Sequence, residues 1–357
     1  MNQSGTTLIE WVIALALNAL IVVAVLSGLQ ASRLAFDLTQ QLGELADRGR
    51  FIRTVIGQDL RLGGARLPCA PSAQHPLDRT VGVVQDSPWL RFDAPVWGIE
   101  APGTGINSRW RLDDDPASPL RAGQHLPNAI NKRLDGQSDV LMVYRLHPQP
   151  QAAVASVSVT GVELTRSVDQ RTCGIWAVTD CSQAVILQDS AHQTRRLSGQ
   201  RGGCTPGNRT AHQPFDAALW PVLEHVAVYR WEANAWFVGH NADHQRVLYR
   251  ALFRHGGARV RVDEMARGVA SLQVEYGLVG PASGLRWHSA ETVSDWSSVA
   301  VVRFGVVVSA PSRTHRADSQ QTPPLRVLSA RIRHGNTAGM VAGFDGAAAL
   351  GLPRADG

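Results

Sequence analysis

The chain has 357 residues, of which 44% are hydrophobic and 18% charged, and its formal net charge is +5. That composition excludes a disordered, highly charged polymer, and the length is enough to bury a substantial core. All the basic side chains except Lys132 are arginines, and they alternate with Asp and Glu along the sequence. Contact with DNA, anionic lipid or a glycan therefore has only the overall positive charge behind it, and a solvated surface is the simpler reading.

From Leu8 to Leu29 the sequence is almost wholly apolar, with Glu10, Asn18 and Ser27 as its polar interruptions. A helix needs roughly 20 apolar residues to cross the hydrocarbon of a bilayer, so residues 6–29 read as a transmembrane stretch. A cleaved secretory signal fits less well, because no Lys or Arg precedes the run and no small-residue cleavage site follows it. A carboxylate in such a segment costs on the order of 2–3 kcal/mol by insertion scales, which makes Glu10 a functional candidate that needs a cation. Beyond the run, Leu34, Leu38, Leu42, Leu45, Gly49, Ile52, Ile56 and Leu60 recur in steps of three and four. Residues 30–63 therefore read as an amphipathic continuation of the same helix, a rod of roughly 80 Å in all.

After "GGARLPC" Gly and Pro punctuate short Val-rich and aromatic runs. The runs "SDVLMVYRL", "ASVSVTGVEL", "CGIWAVTDCSQAVILQ", "EHVAVYRW", "NAWFVGH", "RVLYRALF", "ASLQVEYGL" and "SVAVVRFGVVVSA" read as strands. "ARVRVDEMAR" alternates as a solvated strand does. Residues 64–334 form one β-rich head on this reading, and 335–357 a Gly/Ala tail. The fold class is α+β.

Four cysteines, Cys69, Cys173, Cys181 and Cys204, follow the apolar segment and allow three full pairings. The short separation favours Cys173 with Cys181, leaving Cys69 with Cys204. No Cys-x-x-Cys pair is present to hold zinc, and neither a metal nor a cofactor is expected. "HNADH" places His240 and His244 four apart, but Gly239, Asn241 and Asp243 favour a turn. Asp113, Asp114 and Asp115 in "RLDDDP" lack the spacing of a calcium loop. No nucleophile elbow, zincin motif or phosphate-binding loop occurs, so no catalytic residue is assigned.

The segment "GTTLIEWVIALAL" resembles the class III signal of type IV prepilins and pseudopilins. That resemblance implies cleavage between Gly5 and Thr6 by a prepilin peptidase, which makes residues 1–5 a leader. It also implies a methylated amine on Thr6 and an assembly role for Glu10, paired with the amine of a neighbouring subunit. Further along, "GRFIRTVIGQDLRLGGAR", "GQSDVLMVYR", "TDCSQAVILQ", "GVASLQVEYGL", "DWSSVAVVRFGVVV" and "LRVLSARIRHGN" occur in the order found in the PilW family of large minor pilins. The family implies a pilus-initiating or tip-associated subunit supporting pilus assembly, adhesion and twitching motility. Its implied partners are other minor pilins, the major pilin, the inner-membrane assembly platform and membrane lipid. Before assembly the head would lie in the periplasm and afterwards on the fibre. The alternatives are a minor pseudopilin of a type II secretion system, usually shorter, and a tip adhesin or binding module.

Overall fold

The computed structural model describes residues 8–63, 78–81, 90–92, 94–101, 126–168, 173–180, 183–190, 193–200, 204, 207, 208, 220, 222–253, 260–280, 284–308 and 325–333. Among the described residues the α-helices are α1 (Leu8–Leu62) and α2 (Asn128–Asn131). The strands are β1 (Asp78–Val81), β2 (Val96–Ile99), β3 (Val140–Leu146), β4 (Ala152–Ser158), β5 (Gly161–Leu164), β6 (Ile175–Thr179), β7 (Gln183–Gln188), β8 (Arg196–Ser198), β9 (Ala227–His240), β10 (Arg246–Phe253), β11 (Val260–Arg267), β12 (Val269–Gly280), β13 (Gly284–His288), β14 (Val299–Val308) and β15 (Leu325–Arg333). One long apolar amino-terminal helix and a mainly antiparallel β head make the protein α+β. The stretch "SAPSRTHRADSQQTPP" (309–324), which reads as an exposed loop, and the tail 335–357, like Asp113, Asp114 and Asp115, lie outside the described residues.

The chain divides into two units, Met1–Arg48 and Gly49–Gly357. In the first, α1 is long and apolar enough to cross a membrane. Two of the polar groups in its apolar run turn back on the helix: Asn18 Nδ2 donates to the Ala14 carbonyl at 2.9 Å and Ser27 Oγ to that of Ala24 at 2.8 Å. Such local bonds satisfy polar atoms that hydrocarbon would otherwise leave unpaired. The apolar stripe that is continuous in the sequence is not continuously covered. Leu34 and Leu38 are 66% and 56% exposed, whereas Ile52 and Ile56, in the second unit, are 1% and 0%.

In the second unit, eleven of the described strands form one sheet organised around β9. The first residues of β9 pair with β4 and β6 (Val228 opposite Ala152 and Val178), and the rest pair with β3 and β10 (Trp236 opposite Leu141 and Arg250). "EHVAVYRW" and "NAWFVGH", two runs in the sequence, thus merge into a single strand, because four partners satisfy its backbone along its whole length. Strand alternation then sorts the side chains. Trp231, Ala233, Ala235 and Phe237 of β9 enter a core with Val140, Met142 and Tyr144 of β3 and Val247, Tyr249 and Phe253 of β10. The intervening residues, Glu232, Asn234 and Trp236, are equally buried but face the opposite way. A second core gathers Trp176, Val178, Val185, Leu187, Val226 and Val228 where β6, β7 and β9 meet. The other sheet runs β13-β12-β14-β15, all antiparallel.

Candidate functional site

Gly5 and Thr6 lie outside the described residues, and Glu10 stands exposed in the first turn of α1. A carboxylate there complements the positive end of the helix dipole.

A second carboxylate on α1 is held quite differently. Ile52, Ile56, Asp59 and Gly63 fall in steps of four, three and four, with Leu60 adjacent, so Asp59 belongs to the buried stripe, and it is 3% exposed. Its Oδ1 accepts from Arg145 Nη1 of β3 at 2.7 Å. Its Oδ2 accepts from Asn234 Nδ2 and from the indole Nε1 of Trp236, both on β9 and both at 3.0 Å. Arg145 stands opposite Glu232 in the β3–β9 register and also donates to Glu232 Oε2, from Nε at 3.3 Å and from Nη2 at 3.1 Å. Arg230 lies 3.2 Å from the other Glu232 oxygen. Two buried carboxylates therefore meet two partly buried guanidiniums, the arrangement that charges require when they leave solvent. The end of α1 sits close against the same strand, since a Cβ on Gly63 would lie 2.6 Å from Val143 Cγ1.

A comparable junction ties the two sheets. Asp139 Oδ1 accepts from the Ala101 N–H at 2.9 Å and Oδ2 from the Val274 N–H at 2.8 Å. Beside them the Tyr276 phenol is fully buried, and burial, reinforced by the Asp139 and Glu100 charges, drives its pKa well above the usual tyrosine value. Tyr276 Oη lacks a hydrogen-bond partner among the described residues. It fits only because residue 98 is glycine: a Cβ there would fall on the phenol oxygen.

The cysteines correct the pairing expected from spacing. Cys173 is bonded to Cys204, with Cα atoms 5.4 Å apart, and not to Cys181. Cys173 precedes β6, whose Ile175 pairs with Gln188 at one end and whose Thr179 pairs with Ala184 at the other. Position 181 follows the far end, so a whole strand of extended chain separates two cysteines that look adjacent in the sequence. Cys204 is brought up instead by buried amides: Gln188 Oε1 accepts from the Gly207 N–H at 2.8 Å, and Asn208 exchanges bonds with the Gln188 backbone at 2.9 and 2.6 Å. The expected pairing of Cys204 with Cys69 is overturned with it; Cys69 and Cys181 themselves lie outside the described residues.

His240 ends β9 and His244 occupies the turn to β10 with a left-handed φ of 56°, as the turn residues around them suggest. Among the described residues there is no group of three or more metal-ligating side chains. The Asp59 and Asp139 junctions were not foreseen from the sequence. Their signal lies in carboxylates set inside apolar periodicity, "IGQDL" on the helix and "SDVLMV" at the strand.

No curated protein and no solved structure matches the chain. Residues 235–342, from within β9 through the β12–β15 sheet and beyond, match the family model of the type IV pilus-assembly protein W. Over that stretch the chain is similar to the PilW family of type IV pilus-assembly proteins.

Proposed function

We propose that the protein is a minor pilin, anchored in the inner membrane by the apolar part of α1 and incorporated into a type IV pilus as an initiating or tip-associated subunit. The observation that carries this reading is the family match over residues 235–342. The membrane-length amino-terminal helix with Glu10 in its first turn supports it. On this reading a prepilin peptidase cuts between Gly5 and Thr6, and Glu10 pairs with the amine of a neighbouring subunit. The pair offsets the cost of burying the charge and fixes the axial register between subunits. The head then lies in the periplasm before assembly, an oxidising compartment in which the Cys173–Cys204 bond persists. Its partners are other minor pilins, the major pilin and the assembly platform, and the role extends to adhesion and twitching motility.

The test is the amino-terminal sequence and mass of the protein from its native membrane, with and without the organism's prepilin peptidase. A start at Thr6 that depends on the peptidase is expected. An intact Met1, or a cut beyond Leu29, sinks the proposal. A Glu10→Ala variant is expected to be inserted and cleaved but absent from fibres, and normal fibre incorporation would remove the role given to Glu10.

A further inference from the structure

We propose that Asp59 is a register lock, a positioning residue that holds the stretch 49–62 of α1 at one rotation and one height on the β3–β9 face. The apolar part of that stripe, Ile52, Ile56 and Leu60, cannot set a unique position by itself. Aliphatic side chains one turn apart present similar shapes, and burial is non-directional, so a slip of one turn along the helix loses little area, and a larger displacement is opposed only by the polar face it would bury. Asp59 removes the degeneracy. Its two oxygens are used separately, Oδ1 by Arg145 on β3 and Oδ2 by Asn234 and Trp236 on β9, so three donors on two strands all converge on one position of the helix. Any slip leaves a buried carboxylate and buried donors unpaired, a heavy penalty in a low-dielectric site. Arg145 makes the lock stiff, because the same guanidinium is held from the other side by Glu232, which Arg230 holds in turn.

The lock acts on the joint between the helix and the head, so an axial pull or push applied to α1 is delivered to β3 and β9 without slippage. This consequence rests on the pilus reading; the lock itself does not. Two cysteine pairs in the full chain in detergent micelles, read by peptide mapping after mild oxidation, report the register directly. Gly63→Cys with Val143→Cys captures the native position, since those sites touch. Gln58→Cys with Val143→Cys captures a helix that has both rotated and slid by about 7.5 Å, since Gln58 lies five residues before Gly63 and faces solvent in the native register. In the Asp59→Asn background the native cross-link is expected to fall at least threefold and the rotated one to appear. Ile56→Ala, a cavity on the same stripe that destabilises without touching the lock, is the control and is expected to keep the native cross-link alone. An Asp59→Asn chain that cross-links as the parent does overturns the proposal, and so does an Ile56→Ala chain that loses register to the same degree. Neither result depends on processing at Gly5, so failure of the lock and failure of the pilus reading are separable.

Discussion

Ser138 and Leu272 are joined twice: the Ser138 hydroxyl accepts from the Leu272 N–H at 3.0 Å and donates to the Leu272 carbonyl at 3.2 Å. The Asp139 N–H donates to the same carbonyl at 2.9 Å, and the Asp139 carboxylate takes the Val274 N–H. The side of β12 that faces away from β14 would otherwise carry unpaired backbone here, because β13 covers it only from Tyr276 onward. A Ser-Asp pair thus stands in for a strand and closes a sheet edge, and it links the larger sheet to the one that carries most of the family match.

Asp139→Asn puts an amide where one of two backbone N–H groups needs an acceptor. A loss of about 1–3 kcal/mol is expected, with Ser138→Ala in the same range. Urea unfolding of the full chain in micelles measures both. Full stability in Asp139→Asn would show that the Asp139 carboxylate adds nothing to the junction between the sheets.

Arg145→Met leaves Asp59 and Glu232 buried without their shared cation. A destabilisation of about 3–5 kcal/mol is expected, the usual cost of removing one member of a buried ion pair. Arg145→Lys is expected to recover only part of it, because a single ammonium cannot donate from the separate Nη1, Nη2 and Nε positions that the two carboxylates use. The two midpoints in the same urea titration decide this; equal values for Lys and Arg would mean that charge alone matters.

Cys204→Ser opens a crosslink between cysteines 31 apart in sequence. The loss expected from chain entropy is about 3–4 kcal/mol, and it should be matched by Cys173→Ser. Non-reducing peptide mapping of the parent should recover Cys173 linked to Cys204. A Cys173–Cys181 peptide would contradict the structure.

Tyr276 links stability to alkaline pH. Its phenol holds its proton more tightly in the folded chain than in the unfolded one, where it titrates near 10.0. The resulting stabilisation is complete below that pH and is lost as pH rises towards and through the folded value. Absorbance at 295 nm should therefore show a tyrosine that ionises only with unfolding. Tyr276→Phe removes that event and, because the hydroxyl lacks a partner among the described residues, is expected to change stability by less than about 1 kcal/mol at neutral pH.

Local periodicity alone determines much of this protein. The helix from Leu8 to Leu62, the Val-rich strands and the turn through His244 follow from residues close together in the chain, where hydrophobic spacing and turn chemistry act. The order of the head motifs also resembles that of the PilW family. Tertiary structure decided which half of the α1 stripe is covered, that β9 is one strand rather than two, and that Cys173 reaches Cys204 instead of its near neighbour. It also decided that Asp59 meets donors far along the chain at Arg145, Asn234 and Trp236. The physical reason is the same in each case. A buried polar group or a cysteine is satisfied by whichever partner the packed sheet brings within about 3–6 Å, and chain separation carries no information about that distance.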